Sequence, residues 1–422
     1  MNNLEDKILA FSAKLGNEVH LKAIRNTFIS MLPIMIFGGL AAVIGSAPAT
    51  DNATGFMRAW ANFVSANSSV FSWISVLGLG FTSLYITLGI TYNLCKTYKI
   101  DPLIPLFISV FGMFMLAVNP KKLVYGMSLA DLTYLDGKGI IIGLFVGIFT
   151  VEIYRILKEK NFGKIKLPDS VPPSLSETFS SLAVSVVIMF FYLIVFTIFN
   201  SMHTTLAAWL GGLIAPQVKA TDSLIFILIM TFIINAAWFF GIHNATFWGI
   251  MGPIMFMNLS TNAAQQAAGL APGAILTESF WVYFVCIGGT GACLSIAILC
   301  CFSKSKMIKT VGRISVLPAF FGISEPVTFG LPMMLNPIFF IPCACVPTIN
   351  ALIAYLFMHT QIIKKTYAML SFNMPSIFGS FLSTGDFKAL VLVAALLVLD
   401  MIIYYPFMKM YERQQLKLEN QE

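Results

Sequence analysis

The sequence predicts an all-α polytopic membrane protein. Of its 422 residues, 58% are hydrophobic and only 11% are charged, whereas a soluble domain carries about 25% charged residues. Charge-free runs separate the charged clusters, and several of these runs are long enough to cross a bilayer, which takes about 20 apolar residues. Helices are expected because a spanning segment must satisfy its backbone hydrogen bonds without water. This composition excludes a water-soluble globule, a disordered chain and a disulfide scaffold.

The net charge and the cysteine pattern exclude further classes of protein. Much of the net charge of +7 lies on short segments beside apolar runs, which is typical of positive-inside topology rather than of a nucleic-acid-binding face. The seven cysteines form no C-x-x-C motif and are interpreted as small apolar side chains. We therefore expect no nucleic-acid partner, no metal and no cofactor.

The first half of the chain begins with a surface helix that precedes five candidate spans. Residues 1–25 carry apolar side chains on one helical face, which predicts an amphipathic interfacial helix, with a soluble docking helix as the alternative. Basic clusters precede the first span and follow the second and fourth, so these clusters and the loop at about 155–177 are expected in the cytoplasm. The candidate spans are 26–50, 59–95, 102–120, 139–151 and 178–202.

The second half contains two interrupted stretches. Residues 223–277 contain no Asp, Glu, Lys or Arg but several Gly, and residues 318–347 contain six prolines. Neither stretch is expected to be a plain spanning helix, so we predict broken or re-entrant backbone near 241–257 and 318–334. At membrane depth such backbone lines the cavities in which transporters hold their substrates. Other spans are expected near 223–240, 279–302, 335–358 and 388–408, with an interrupted piece at 366–385 and a cytoplasmic tail at 409–422.

Two ionisable residues in these stretches are candidates for function. Glu325 is the only acidic residue between Arg313 and Asp386, and His243 lies in the long charge-free run. A carboxylate in an apolar surround costs about 3 kcal/mol and calls for a compensating role. The alternatives are a structurally paired Glu and a satisfied core His. Asp400, in the last span, is interpreted as pairing with Lys409 or reaching the interface, with a second buried acid as the alternative.

The segments around these two residues echo each other. Phe-Phe-Gly-Ile occurs at 239–242, before His243-Asn244, and again at 320–323, before Ser324-Glu325. Chance is one explanation for so short a match. The other is a pair of similar broken elements, each bringing a polar pair to one site, which would place His243 and Glu325 within reach of the same ligand.

The side chains near the breaks favour a neutral polyhydroxylated ligand. They combine flat apolar faces with neutral hydrogen-bonding groups, whereas ion transport would call for more buried carboxylates and an anionic substrate for an Arg. The aromatic residues are Trp238, Trp248, Tyr367 and Phe372, and the polar ones are Asn244, Ser324, Asn336, Ser371 and Asn373.

The proline-rich stretch resembles a known family. Gly322-Ile323-Ser324-Glu325-Pro326, continued by Phe329-Gly330-Leu331-Pro332 and Leu335-Asn336-Pro337, is similar to the G-x-x-E-P signature of enzyme IIC, the membrane subunit of the bacterial phosphoenolpyruvate-dependent sugar phosphotransferase system. The continuation resembles the lactose, cellobiose and diacetylchitobiose group. The resemblance extends over the whole chain.

The resemblance implies an architecture. It implies a homodimer in the bacterial plasma membrane with about ten transmembrane helices per chain, two re-entrant hairpins and interfacial helices, both termini being cytoplasmic. Residues 26–202 would form the scaffold and dimerisation half. Residues 203–408 would form the sugar-binding half, which moves across the membrane.

The resemblance also implies a function and a site. The chain would be a permease importing a disaccharide such as cellobiose or diacetylchitobiose, with Glu325 and His243 at the sugar hydroxyl that becomes phosphorylated. Trp238 and Asn244 would join the pocket by adjacency, and Phe372 and Asn373 are further candidates for substrate binding. The phosphoryl donor would be a phosphocysteine on enzyme IIB, which enzyme IIA precedes. The short tail predicts a separate B subunit, for which the basic loops 155–166 and 304–313 are candidate docking surfaces.

Two other functions are considered. An ion-coupled secondary sugar transporter would share the broken helices, but it needs an ion site and this sequence offers one strong carboxylate. A membrane-embedded hydrolase would need a catalytic constellation, and the sequence contains no H-E-x-x-H, G-x-S-x-G or Walker motif.

Overall fold

A computed structural model describes residues 18–45, 55–118, 134–163 and 173–419, and all regular secondary structure in this part of the chain is helical. Most of the predicted surface helix, residues 1–17, lies outside the described residues. The α-helices are α1 (Val19–Gly45), α2 (Gly55–Ala66), α3 (Ser68–Ser75), α4 (Thr82–Tyr98), α5 (Leu103–Ala117), α6 (Ile140–Glu159), α7 (Pro173–Ser201), α8 (Leu206–Thr221), α9 (Leu224–Phe239), α10 (Ala245–Ala267), α11 (Glu278–Phe280), α12 (Leu294–Cys301), α13 (Lys306–Phe320), α14 (Glu325–Gly330), α15 (Pro337–His359), α16 (Ser376–Thr384) and α17 (Phe387–Glu419).

Five segments of the described chain are long and apolar enough to cross a membrane, and seven if each of two bent helix pairs counts as one span. The bent pairs are Arg58–Ala66 with Ser68–Gly80, at 74°, and Leu206–Thr221 with Leu224–Phe239, at 72°. The five segments are Val19–Gly45, Gly137–Glu159, Ser181–Ser201, Pro337–His359 and Phe387–Glu419.

Two predicted spans are wrong as single helices. The run 59–95 is divided among α2, α3, a π-helical turn at Val76–Gly80 and α4. The run 279–302 is a π-helical turn at Trp281–Val285, an irregular loop and then α12. In this loop Gly288, Gly289 and Gly291 adopt φ of 78°, 103° and 79°, a region that glycine occupies without steric cost. A charge-free run therefore identifies an apolar segment, but it does not show that the segment is one continuous helix.

Three predicted boundaries also differ. The loop expected at 155–177 is shorter, because α6 continues to Glu159 and α7 begins at Pro173. The tail expected from 409 is helical as far as Glu419. Pro342 and Pro347 lie inside α15, a position that membrane helices tolerate when their neighbours satisfy the freed backbone groups.

The described residues form two compact units. Of the described residues, unit A comprises 18–35, 76–118, 134–163 and 173–217, and unit B comprises 36–45, 55–75 and 218–419. In unit A, α6 presents Gly143 closely to α4: a Cβ added there would lie 2.6 Å from the carbonyl oxygen of Ser83. Small residues of this kind let membrane helices approach each other through their backbones.

A polar cluster joins three helices of unit A. The Glu152 carboxylate of α6 accepts hydrogen bonds from the Tyr98 hydroxyl at 2.5 Å and from Arg155 at 2.8 Å, and it lies 3.2 Å from the His20 ring. The Arg155 guanidinium also lies over the Tyr98 ring, 4.6 Å from its centroid. The ends of α1, α4 and α6 are thus connected by charge-assisted contacts.

Asp400 does not pair with Lys409 as the sequence suggested. It is fully buried in unit B, where its Oδ2 accepts a 3.0 Å hydrogen bond from Nδ2 of Asn350 on α15. Lys409 instead pairs with Glu412, one turn further along α17. The reason is helical phase: Asp400 lies on the face of α17 that contacts α15, together with the buried Leu396 and Tyr404.

The Asp400–Asn350 contact predicts a difference between two variants. Asn350→Leu removes the donor and leaves the buried Asp400 carboxyl without this partner, at a cost of about 1–3 kcal/mol. Asp400→Asn keeps a hydrogen-bonding side chain opposite Asn350 and is expected to cost clearly less. Thermal unfolding in detergent checks this, and a midpoint as low for Asp400→Asn as for Asn350→Leu would contradict it.

Candidate functional site

Two helices of unit B end in the same kind of turn. After α9, the N–H of Gly241 donates to the carbonyl of Trp238 at 2.9 Å and that of Ile242 to Ala237 at 3.0 Å. This pattern, with Gly241 at φ 83°, is a Schellman motif, which satisfies the last carbonyls of a helix. The chain then turns directly into α10.

The end of α13 repeats this geometry. The N–H of Gly322 donates to Ala319 and that of Ile323 to Pro318, both at 3.0 Å, and Gly322 has φ 80°. The ring pair before each glycine matches as well: Phe239–Phe240 and Phe320–Phe321 have centroids 5.4 Å apart at 82° and 83°. The Phe-Phe-Gly-Ile echo in the sequence is therefore a repeated local structure, and α14 follows the second copy as α10 follows the first.

The two turns bring His243 and Glu325 together. Nε2 of His243 lies 3.8 Å from Oε1 of Glu325, and the two side chains are 60% and 50% exposed. This separation is an electrostatic contact rather than a close hydrogen bond. A carboxylate that is accessible and faced by an imidazole can accept a proton from a ligand hydroxyl.

The other predicted site residues lie in different surroundings. Asn244 follows His243 at the start of α10, and its Nδ2 donates to Oγ1 of Thr290 at 2.7 Å. Phe372 and Asn373 are exposed, and the backbone carbonyl of Phe372 lies beside Gly322, where an added Cβ would be 2.9 Å from it. Trp238 is only 3% exposed and belongs to the core of unit B. Its part in ligand binding stays a prediction.

Sequence reasoning missed the loop at 286–293. This loop contacts both site turns through Thr290 and Gly289, yet it lay within a predicted span. The signal that could have revealed it is the sequence Gly288-Gly289-Thr290-Gly291, because so many glycines disfavour a continuous helix. Among the described residues, no group of three or more His, Cys, Asp or Glu side chains could hold a metal ion.

Comparisons with known proteins agree with the sequence resemblance. The family model "Phosphotransferase system, EIIC" matches residues 25–347. The lactose-specific EIICB component of Streptococcus mutans is 32% identical over 423 residues, covering 97% of this chain and 72% of that protein. The lichenan permease IIC component of Bacillus subtilis is 29% identical over 436 residues, covering 99% of this chain and 94% of that protein.

A solved structure matches over the whole fold. It is the crystal structure of the transporter ChbC, the IIC component from the N,N'-diacetylchitobiose-specific phosphotransferase system, with a TM-score of 0.88, 25% identity and 99% coverage of both chains. Together with the apolar helices, these matches indicate an integral membrane sugar permease component that works with an EIIB partner. The chain therefore belongs to the EIIC family of the phosphotransferase system, in its lactose, cellobiose and chitobiose group.

Proposed function

We propose that this chain imports a disaccharide and that the sugar is phosphorylated at a hydroxyl group by phosphorylated EIIB. The observation that carries the proposal is the facing pair of His243 and Glu325, 3.8 Å apart and accessible at the ends of two matching turns. A proton acceptor and an orienting imidazole are what phosphoryl transfer to an alcohol requires of the acceptor side.

The transfer step assigns one role to each side chain. The sugar hydroxyl oxygen attacks the phosphorus of a phosphocysteine on EIIB, forming an O–P bond while the P–S bond breaks. Glu325 takes the hydroxyl proton, and His243 orients the hydroxyl through its ring nitrogen. The cysteine sulfur leaves as a thiolate on EIIB. This chain thus positions the sugar and accepts the proton, while the partner supplies the phosphoryl group.

A disaccharide such as cellobiose or diacetylchitobiose is the proposed substrate. Two similar proteins are named for disaccharides, lactose and N,N'-diacetylchitobiose. Phe372, which is exposed, would offer a flat face to a sugar ring, and Asn244 and Asn373 would offer neutral hydrogen-bonding groups. This mixture suits a neutral polyol.

The proposed architecture is that of a homodimer in the bacterial plasma membrane. Each chain would contain about ten transmembrane helices and two re-entrant hairpins, near 241–257 and 318–334, with both termini in the cytoplasm. Residues 26–202 would form the scaffold, and residues 203–408 would carry the sugar by moving across the membrane. The likeness to ChbC over 99% of both chains supports this proposal.

Glu325→Gln tests the role of the carboxylate. The amide cannot accept the proton, so the rate of sugar phosphorylation is expected to fall by about 10²-fold or more, whereas sugar affinity should change far less. Phosphorylation by phospho-EIIB and equilibrium binding of radiolabelled sugar are measured on the same preparation. Asp101→Asn, at an exposed carboxylate before α5 and outside both candidate docking loops, is the control. Equal phosphorylation rates in Glu325→Gln and the parent would remove Glu325 from this role.

Transport in vesicles distinguishes group translocation from ion coupling. Vesicles containing the purified chain are expected to accumulate labelled sugar phosphate only when phospho-EIIB is supplied at the cytoplasmic face. Unmodified sugar accumulating under a proton or sodium gradient, without EIIB, would instead establish an ion-coupled secondary transporter.

A further inference from the structure

The loop of residues 286–293, called here the glycine loop, lies between two turns of the site. The first turn follows α9 and precedes His243, and the second turn follows α13 and precedes Glu325. On one side, Oγ1 of Thr290 accepts the 2.7 Å hydrogen bond from Asn244, the residue after His243. On the other side, a Cβ added at Gly289 would lie 2.8 Å from the Gly322 carbonyl oxygen and 2.8 Å from Cβ of Ser324, the residue before Glu325. One loop thus contacts the immediate neighbours of both members of the pair.

The glycine loop is itself attached to three other elements. The N–H of Gly291 donates to Oδ1 of the buried Asn235 on α9 at 3.0 Å, and its carbonyl accepts from the Tyr404 hydroxyl of α17 at 2.6 Å. The N–H of Gly288 donates to Oγ of Ser376 at the start of α16 at 3.4 Å. Thr290 is only 6% exposed. These anchors make the loop a fixed reference for both turns.

The hydrogen bond at Thr290 and the contact at Gly289 act on the pair differently. The Thr290 hydroxyl holds the first turn by a hydrogen bond that a hydrocarbon side chain cannot make. Gly289, at φ 103°, lets the second turn approach so closely that any Cβ would collide with backbone. Because a misplacement of about 1 Å can cost 10²-fold in rate, both contacts bear on the geometry of His243 and Glu325.

We infer that Thr290 and Gly289 are positioning residues that set the separation of His243 and Glu325. Neither is assigned a part in the chemistry itself. The inference rests on the proposed function of the pair. It adds an explanation of how the side chains of His243 and Glu325, which follow different helices, are held at a fixed separation.

Thr290→Val tests the hydrogen bond at nearly constant volume. The turnover rate of sugar phosphorylation is expected to fall about 10-fold to 100-fold, with a smaller change in KM, and Thr290→Ser, which keeps the hydroxyl, should recover most of the rate.

Gly289→Ala tests the close approach independently, with Gly291→Ala as its matched control. Both glycines have positive φ, 103° and 79°, so both substitutions carry backbone strain. Only the methyl group at 289 would collide with the second turn, because the nearest atom to one at 291 is Sγ of Cys293 at 3.4 Å. Gly289→Ala is expected to lose at least 10 times more phosphorylation rate than Gly291→Ala.

The outcomes separate this inference from the proposed function. If the parent phosphorylates sugar and Glu325→Gln does not, but Thr290→Val and Gly289→Ala match their controls, the positioning role is wrong and the proposed function stands. A loss of rate in Thr290→Val that Thr290→Ser shares in full would also overturn the positioning role. If Glu325→Gln phosphorylates as fast as the parent, the proposed function fails first.

Discussion

The constraint on which unit B depends is that every break in a helix must satisfy its backbone hydrogen-bonding groups within the protein. At membrane depth an unpaired N–H or C=O group costs several kcal/mol. After α9 and α13, Schellman turns supply the partners. Before α11, the Asp222 carboxylate accepts from the N–H groups of Ile275 and Leu276, and Asn262 makes hydrogen bonds to both backbone groups of Ala274. At each of these three breaks, backbone groups that the helix no longer pairs have hydrogen-bond partners within the protein.

The same constraint explains why the candidate site is accessible although its surroundings are buried. A Schellman turn satisfies the carbonyls of the last helical turn and redirects the chain within a few residues. His243 and Glu325 follow such turns directly, so their side chains emerge where one helix has stopped and another starts. Ser324, the residue before Glu325, is only 4% exposed. In the polar pair after α13, Glu325 is therefore the member that reaches the surface.

Much of this arrangement could be predicted from local signals. The charge pattern predicted spans, and the G-x-x-E-P sequence with the Phe-Phe-Gly-Ile echo predicted a shared site for His243 and Glu325, which the structure places 3.8 Å apart. Partners distant in sequence could not be predicted, since Thr290 meets Asn244 across 46 residues. Burial could not be predicted from adjacency either: the helical period turns Trp238 into the core, while His243, five residues later, has left the helix.

The separation within the pair suggests why a histidine accompanies the acid. A hydroxyl oxygen can lie about 2.8 Å from each of two atoms that are themselves 3.8 Å apart, which is a hydrogen-bonding distance to both. A sugar hydroxyl has one donor and two acceptor positions, so it can donate to the carboxylate while accepting from a ring N–H. Two carboxyl groups at this distance would not both stay ionised, because like charges repel each other. A carboxylate and an imidazole instead match the two hydrogen-bonding roles of one hydroxyl group. The hydroxyl proton then faces the base, and the remaining lone pair of the hydroxyl oxygen is free to attack.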